Sequence, residues 1–315
     1  MRAQFLSTKA IFEGFLTFLP GLKNLLDKKT GGNNSAKYCY SVWLRHYSKI
    51  FQTMKRDLPC SHVAELGPGD SLGAGIAALF SGCESYTAID AVQHFNTETN
   101  LAVLHDIYEL FQLKHPIPGP DEFPLVKPLI TTYAFPSFHI SNSKHISVEY
   151  KKKIIKTLKN FNQSSSPISF LPAHSIESHN NASKFDLIFS QAVLEHVDDL
   201  PRTYAMCNNL IKLGGLMSHT IDFKCHGVSS EWNGHWTYSP FLWRVLLGRR
   251  AYFINRKPLS YHLKQLDAHG FDIILLEIFH QHSIVTRNDL AKEFRSLTEE
   301  DLQTSGAYIL AQKRF

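Results

Sequence analysis

The chain has 315 residues, 43% of them hydrophobic and 19% charged, which is ample material for a buried core and excludes a disordered or fibrous chain. Its formal charge of +5 is mildly basic, but Lys and Arg are scattered, with short clusters only at Lys151-Lys152-Lys153 and Arg249-Arg250, so no nucleic-acid partner is expected. Five cysteines without a Cys-x-x-Cys pair (Cys39, Cys60, Cys83, Cys207, Cys225) fit a reducing compartment, and the expected location is cytoplasmic.

Residues 1–58 read as an N-terminal helical extension and 59–315 as the main domain, with a Pro-rich insertion at about 114–147. The apolar stretch from Ile11 to Leu26 is interrupted by Glu13, Gly14, Pro20, Gly21 and Lys23, too broken for a transmembrane segment and without a signal-type cleavage site. It reads as a helix–turn–helix packed on the main domain, with weak peripheral membrane contact left open. From Lys37 to Asp57, Tyr40, Trp43, Leu44, Tyr47, Ile50, Phe51 and Met54 recur at helical spacing, which predicts an amphipathic helix stopped by Pro59.

The run Val63-Ala64-Glu65-Leu66-Gly67-Pro68-Gly69-Asp70-Ser71-Leu72-Gly73 predicts a short strand turning through glycines into a helix from Leu72 to Phe80. Such a turn exposes backbone N–H groups to a ligand at the helix N-terminus. The dinucleotide fingerprint Gly-x-Gly-x-x-Gly has a shorter last interval than the one ending at Gly73, and no Gly-Lys-Ser/Thr follows as a phosphate loop would need. A glycine turn that binds nothing is the bland alternative. Ser85 to Ile89 predicts a second buried strand ending in Asp90, which is placed to accept ribose hydroxyls or to cap a helix.

A helix is expected from Asn96 to Leu113. Pro116, Pro118, Pro120, Pro124, Pro128 and Pro136 then break regular structure as far as about Ser143. This segment reads either as a lid whose aromatic residues Phe123, Tyr133, Phe135 and Phe138 face a substrate, or as a linker. A basic helix from Val148 to Phe161 and strands at Ile168–Leu171 and Phe185–Phe189 follow. Apolar strands alternating with helices predict a parallel sheet buried on both faces, with ligands at the carboxyl ends of the strands.

The segment from Phe185 through Ser190-Gln191-Ala192-Val193-Leu194-Glu195-His196-Val197-Asp198-Asp199 resembles the fourth strand and following helix of class I S-adenosylmethionine-dependent methyltransferases. Glu65-Leu66-Gly67-Pro68-Gly69 and Asp90 complete a three-part match in order. Leu210 to Ser218 looks like that family's helix, Gly-Gly turn and fifth strand, and Phe271–Phe279 with Ala307–Gln312 suit its terminal antiparallel pair. The resemblance covers roughly residues 60 to 315. It implies a Rossmann-like, doubly wound, mostly parallel seven-stranded α/β sheet with a terminal antiparallel strand pair, here with N-terminal helices and an insertion. It implies S-adenosyl-L-methionine as cofactor, with Glu65, Gly67, Gly69 and Gly73 at the methionine end, Asp90 on the ribose and Gln191 by the adenine or methionine portion. Ala173 stands where the family often has an acidic residue for the adenine amine, and His174, Ser175 or main-chain groups are the substitutes. His196 is expected to order its loop by hydrogen bonding.

Methyl transfer from a sulfonium is an in-line displacement that needs alignment and, for a hydroxyl acceptor, a base. His219, Asp222, His226 and His235 are the candidate bases, since histidine accepts protons near neutral pH. Each has a bland reading: His219 lies inside a strand pattern, and 17 histidines make clusters easy. His219, Asp222 and His226 also suit a metal, but no compact motif supports one and none is expected. Trp232, Trp236, Tyr238, Phe241 and Trp243 read as core, the first of them as a pocket wall. The expected activity is methylation, at oxygen, of a small-molecule or biosynthetic acceptor; the alternatives are an NAD(P)-dependent oxidoreductase and a non-catalytic cofactor-binding protein. Nothing in the sequence sets an oligomeric state.

Overall fold

The computed structural model describes residues 5–19, 33–55, 61–137, 140, 143–161, 166–178, 183–250 and 252–315. Pro59, Cys60, Phe138 and residues 20–26 of the N-terminal apolar stretch lie outside them. Seven strands, β1 (His62–Leu66), β2 (Ser85–Asp90), β3 (Ile168–Pro172), β4 (Phe185–Gln191), β5 (Ile211–Asp222), β6 (Phe271–His280) and β7 (Thr304–Lys313), form one sheet. Its order is β3-β2-β1-β4-β5-β7-β6. Pairings from β3 to β5 are parallel, and β7 runs antiparallel between β5 and β6. The expected doubly wound sheet with its terminal antiparallel pair is what forms.

Both faces are covered, as near-continuous apolar strands require. On one face, helices Ala36–Met54, Gly73–Phe80, Thr97–Gln112 and Val148–Lys159 share a core cluster with Val63, Tyr86, Leu187 and Tyr308. On the other, Leu200–Leu210 and Leu259–Ala268 cover Ala64, Ile188, Met217 and Ile309. The sequence sets the helix starts by side-chain caps. Ser35, Asn96 and Ser147 accept from the backbone N–H of Tyr38, Thr99 and Tyr150 respectively.

Two local expectations are corrected, and the expected core role of a third group holds. Gly214 and Gly215 do not separate a helix from the fifth strand; they lie within β5, where Gly214 has φ +70° and the register with β4 shifts between Phe185 and Leu187. This is a bulge, which glycine's freedom at positive φ permits. The Pro-rich insertion is neither a lid nor a solvated linker. Its Ile117, Val126, Ile130 and Ile140 are core residues, and Phe123, Tyr133 and Phe135 pack on the same cluster. Buried Arg45 on the first long helix fixes its path, donating to the carbonyl oxygens of Pro118, Phe123 and Val126, while Ser41 and Tyr40 donate to Pro118 and His115. The aromatic group after β5 is core: Trp236 and Tyr238 are fully buried, and the Trp232 indole donates to His282. Phe241 alone of that group is exposed.

The described part of the N-terminal stretch is one helix, Thr8–Leu16. Gly14 lets it lie directly on the backbone of Val245 and Leu246 in the helix Pro240–Leu247, while Phe12, Phe15, Phe18 and Leu19 are exposed. Among the described residues no helix is long and apolar enough to cross a membrane, and Cys39, Cys207 and Cys225 are buried free thiols.

The helix after the glycine turn packs against β2 so closely that a Cβ at Gly75 would overlap the Tyr86 ring. At an ordinary helix site Gly→Ala gains up to about 1 kcal/mol. Here the sign reverses: Gly75→Ala is expected to lower unfolding free energy by about 1–3 kcal/mol through overpacking. Denaturant unfolding of the two proteins measures it, and a neutral or stabilising result would mean that the Tyr86 ring moves freely aside.

Candidate active site

The pairing register brings the candidate cofactor residues onto one line across the sheet. Asp90 pairs with Pro172, Leu66 with Ile89, Glu65 with Phe189, and Gln191 with Thr220. Continuing the register by one or two residues sets Gly67 beside Asp90 and Gln191. The carboxyl ends of β1 to β5 therefore open at one level, where ligands bind in such sheets. With strands about 4.8 Å apart, Gly67 and Thr220 are separated by about 10 Å.

Gly67 (φ +65°) and Gly69 (φ +69°) take the left-handed conformation that glycine adopts without strain. Both are also sterically required. A Cβ at Gly67 would lie 2.6 Å from a Val193 methyl, and one at Gly69 would crowd the Asn33 amide. The turn does not present bare N–H groups as expected. The N–H groups of Asp70 and Ser71 donate to Asn33 Oδ1 (2.7 and 3.2 Å), that of Leu72 to Asn100 Oδ1 (2.8 Å) and that of Gly73 to Ser71 Oγ (3.3 Å). Asn33 Nδ2 donates in return to the Pro68 carbonyl. With these donors taken, the N–H groups of residues 70–73 are not left for a phosphate, as a dinucleotide site would need. Gly73 is instead a packing position, pressed against Cys39 and Val103.

Glu65 is 5% exposed and accepts a 2.5 Å hydrogen bond from the Tyr86 hydroxyl. Burial pushes its pKa from 4.5 up to about 8, Tyr86 acting against the shift and Asp90 adding to it. Asp90, at the end of β2, is also raised by burial, and accepts from its neighbour's N–H. His174 lies exposed on the 3-10 turn Ala173–Ser178 after β3.

Gln191 is held by a residue that the sequence did not point to. His46, buried on the helix Ala36–Met54, has Nε2 3.3 Å from Gln191 Oε1 and Nδ1 2.7 Å from Ser218 Oγ, which lies 2.9 Å from the Tyr308 hydroxyl. Burial lowers His46 to about 4, so the ring is neutral. Gln191 Oε1 only accepts; Nε2 therefore carries the proton, Nδ1 accepts from Ser218, and Ser218 accepts from Tyr308. Tyr38 on the same helix is a second residue the sequence reading missed: burial raises its phenol, and the Cys39, Glu65 and Glu195 charges add to the shift. Asn33, Tyr38 and His46 all come from ahead of β1.

The four candidate bases separate into two groups. His219 and His235 are each 1% exposed. His219 Nδ1 is 2.7 Å from Ser190 Oγ, and burial, with His46 and His262 nearby, lowers it to about 3. His235 packs on the Trp236 ring at 4.5 Å, and burial, then Arg256, lowers it to about 3. Asp222 and His226 lie at and just beyond the end of β5 and meet, with Oδ2 and Nε2 3.6 Å apart. Against burial, His226 and Lys224 hold Asp222 down at about 2. The sequence trio of His219, Asp222 and His226 is not assembled. Among the described residues the group whose ligand atoms all come within 4.8 Å is Glu195, His196 and His226.

Residues 131–218 match the model of a methyltransferase domain. No curated protein matches the chain. Solved structures with a similar chain path include an S-adenosylmethionine-dependent methyltransferase from Mesorhizobium loti, at 13% identity and TM-score 0.39, covering 85% of this chain and 98% of that one. Another from Methanosarcina mazei has 13% identity and TM-score 0.43, covering 83% and 97%. Phosphoethanolamine N-methyltransferase 2 from Haemonchus contortus, in complex with S-adenosyl-L-methionine, has 12% identity and TM-score 0.40, covering 96% and 60%.

The Glu65 shift makes a testable statement about pH. The folded chain keeps a proton on Glu65 up to about pH 8, whereas the unfolded chain releases it near 4.5. Folding therefore binds a proton in that window, and stability falls as pH rises through it. Glu65→Gln removes the effect, so the variant should gain on the wild type between pH 5 and pH 8 in parallel denaturant titrations without ligand. Parallel stability curves across that range would show that Glu65 is ionised in the fold.

Proposed function

We propose that the chain is a class I S-adenosylmethionine-dependent methyltransferase, a reading supported by its methyltransferase-domain match over residues 131–218 and its sheet order, and that it methylates an oxygen of a small-molecule or biosynthetic acceptor by in-line displacement. The observation that carries this reading is the Asp222–His226 pair at the open end of β5, two residues beyond the line of Gly67, Asp90 and Gln191. In this reading the donor residues and a polar pair suited to a hydroxyl share one site.

In this reading Gly67 and Gly69 let the methionine portion lie against the turn, Glu65, neutral without ligand, gives up its proton as it meets the ammonium end, and Asp90 accepts the ribose hydroxyls. Gln191, fixed through its oxygen by His46, keeps its amide N–H groups for the cofactor. His174 and the main chain after β3 border the adenine. The sulfonium makes the methyl group electrophilic when bound; the chain's part is alignment and exclusion of water. Asp222 orients the His226 ring, which receives the acceptor's proton as the oxygen–carbon bond forms. His219 and His235 support the site from the core. The acceptor is a freely diffusing molecule met in the cytoplasm, with peripheral membrane contact through the exposed Phe12, Phe15 and Phe18 side retained as part of the proposal.

S-adenosylhomocysteine should raise the melting temperature of the wild type, as a ligand of the native state does, while NAD(H) should not. Gly67→Val, which meets both positive φ and Val193, and Asp90→Ala should abolish the response. His226→Asn should keep it and slow turnover by about 10²-fold or more, the range for loss of a general base, as followed by the gain of one methylene mass in an acceptor pool. No response to the wild type's methyl-donor ligands defeats the cofactor assignment; unchanged turnover in His226→Asn defeats the assignment of the base.

A further inference from the structure

The 3-10 turn Leu194–His196 is held by its backbone. Asn255 Nδ2 donates to the carbonyls of Leu194 (2.7 Å) and Val197 (2.9 Å), and its own N–H donates to the Glu195 carbonyl (2.7 Å). The side chains of Glu195 and His196 are therefore not needed to shape the turn. Glu195 is 3% exposed; Oε1 accepts a 3.3 Å bond from the Asp222 N–H, while Oε2 is buried without a partner. His196 meets the main chain of Tyr252 and Phe253, and its Nδ1 is likewise buried and unpartnered. The His226 ring stands 5.0 Å from it, centroid to centroid. An unpaired buried carboxylate oxygen and imidazole nitrogen are each costly.

The geometry points to a divalent-cation site formed by Glu195, His196 and His226, and we propose that it takes a first-row transition ion such as Zn2+. Two imidazoles and one carboxylate are a borderline donor set that suits such ions better than Mg2+ or Ca2+, which prefer oxygen. One ligand atom from each residue lies within 4.8 Å of the others, so modest closure of the rings would complete the contacts. The surroundings match what metal-binding imidazoles receive: a main-chain anchor for His196 and the Asp222 carboxylate 3.6 Å from His226 Nε2. The nearby cations are engaged elsewhere, Lys224 with Asp222 at 3.1 Å and Arg256 with Glu293 at 3.8 Å. Three protein ligands leave a coordination position open, as in sites that bind a substrate oxygen.

The site deepens the proposed function and rests on it only for the acceptor's position. The two roles of His226 are alternatives: with an ion bound it would serve as a ligand, and an acceptor hydroxyl at the ion would lose its proton to water instead of to the ring. Cation binding is measured without donor or acceptor, so its failure is distinct from failure of the methylation reading. The full chain, stripped with chelator, is titrated calorimetrically with Zn2+ at neutral pH. One equivalent should bind the wild type and His105→Ala, whose histidine lies exposed on the helix Thr97–Gln112. His226→Asn, which suits the left-handed backbone at φ +50°, should bind at least 10-fold more weakly, and Glu195→Gln likewise if circular dichroism shows it folded. Co2+ in place of Zn2+ should give visible ligand-field absorption in the wild type that His226→Asn loses. No stoichiometric binding to the wild type, or equal binding by His226→Asn, overturns the proposal.

Discussion

A neutral imidazole in the middle of one sheet face ties the rest of the structure together. His46 can satisfy both nitrogens only where Gln191 offers an acceptor and Ser218 a donor, and Ser218 in turn needs Tyr308. The chain of bonds therefore sets the helix Ala36–Met54 over β4, β5 and β7 at once. A buried polar network of this kind is stable when every member is paired and costly when one is lost. The helix ahead of β1 is thereby part of the candidate cofactor site. Asn33 at its approach fills the hollow of the glycine turn, Tyr38 faces Glu65 and Glu195, and His46 anchors Gln191.

The glycine turn has two separable properties. Positive φ at Gly67 and Gly69 makes the bend, and the absence of side chains admits Val193 and Asn33. Neither property specifies the ligand. The hydrogen bonds do, because N–H groups of the turn and of the helix start are spent on Asn33, Asn100 and Ser71, and a phosphate would find none of those left to bind. Adenosine with a methionine tail needs hydroxyl acceptors and an ammonium partner, which Asp90 and Glu65 can supply.

Much of the sheet was legible because its strands are short apolar runs punctuated by Asp, Pro and Gly, and because Ser35, Asn96 and Ser147 mark helix starts. The long-range partners were not. Nothing local to His46 or Arg45 says that one will meet β4 and the other the carbonyls of the Pro-rich insertion; those contacts span 145 residues and 73 to 81 residues respectively. Prolines in that insertion suggested an open loop, whereas isoleucines and valine spaced between them supply its core contacts. The bulge at Gly214 was misread as a turn because a Gly-Gly pair signals both. For the histidines a usable signal was present. A strand covered on both faces buries every residue, so His219, inside β5, could not have been a solvent-facing base, and only positions at or past Asp222 could reach a ligand. His235, set among Trp232, Trp236 and Tyr238, carried the same warning.

Several buried ring nitrogens stay unpaired: His219 Nε2, His235 Nδ1 and His262 Nε2, besides His196 Nδ1. They differ in what surrounds them. His262 meets the Tyr204 hydroxyl through its other nitrogen, and His219 meets Ser190 in the same way, so each is a core histidine with one satisfied side and a neutral ring. A neutral orphan nitrogen costs far less than an orphan carboxylate oxygen, whose charge must be paired or protonated. Among the described residues Glu195 and Glu277 each carry such an oxygen; Glu277 meets Lys49 through its other oxygen, whereas Glu195 has no cation partner of that kind, and its turn is fixed by Asn255. A fold under no other demand could place an apolar residue there and lose nothing that shapes the turn. On the proposal above, the retained carboxylate serves as a ligand beside His196 and His226 at the ends of β4 and β5.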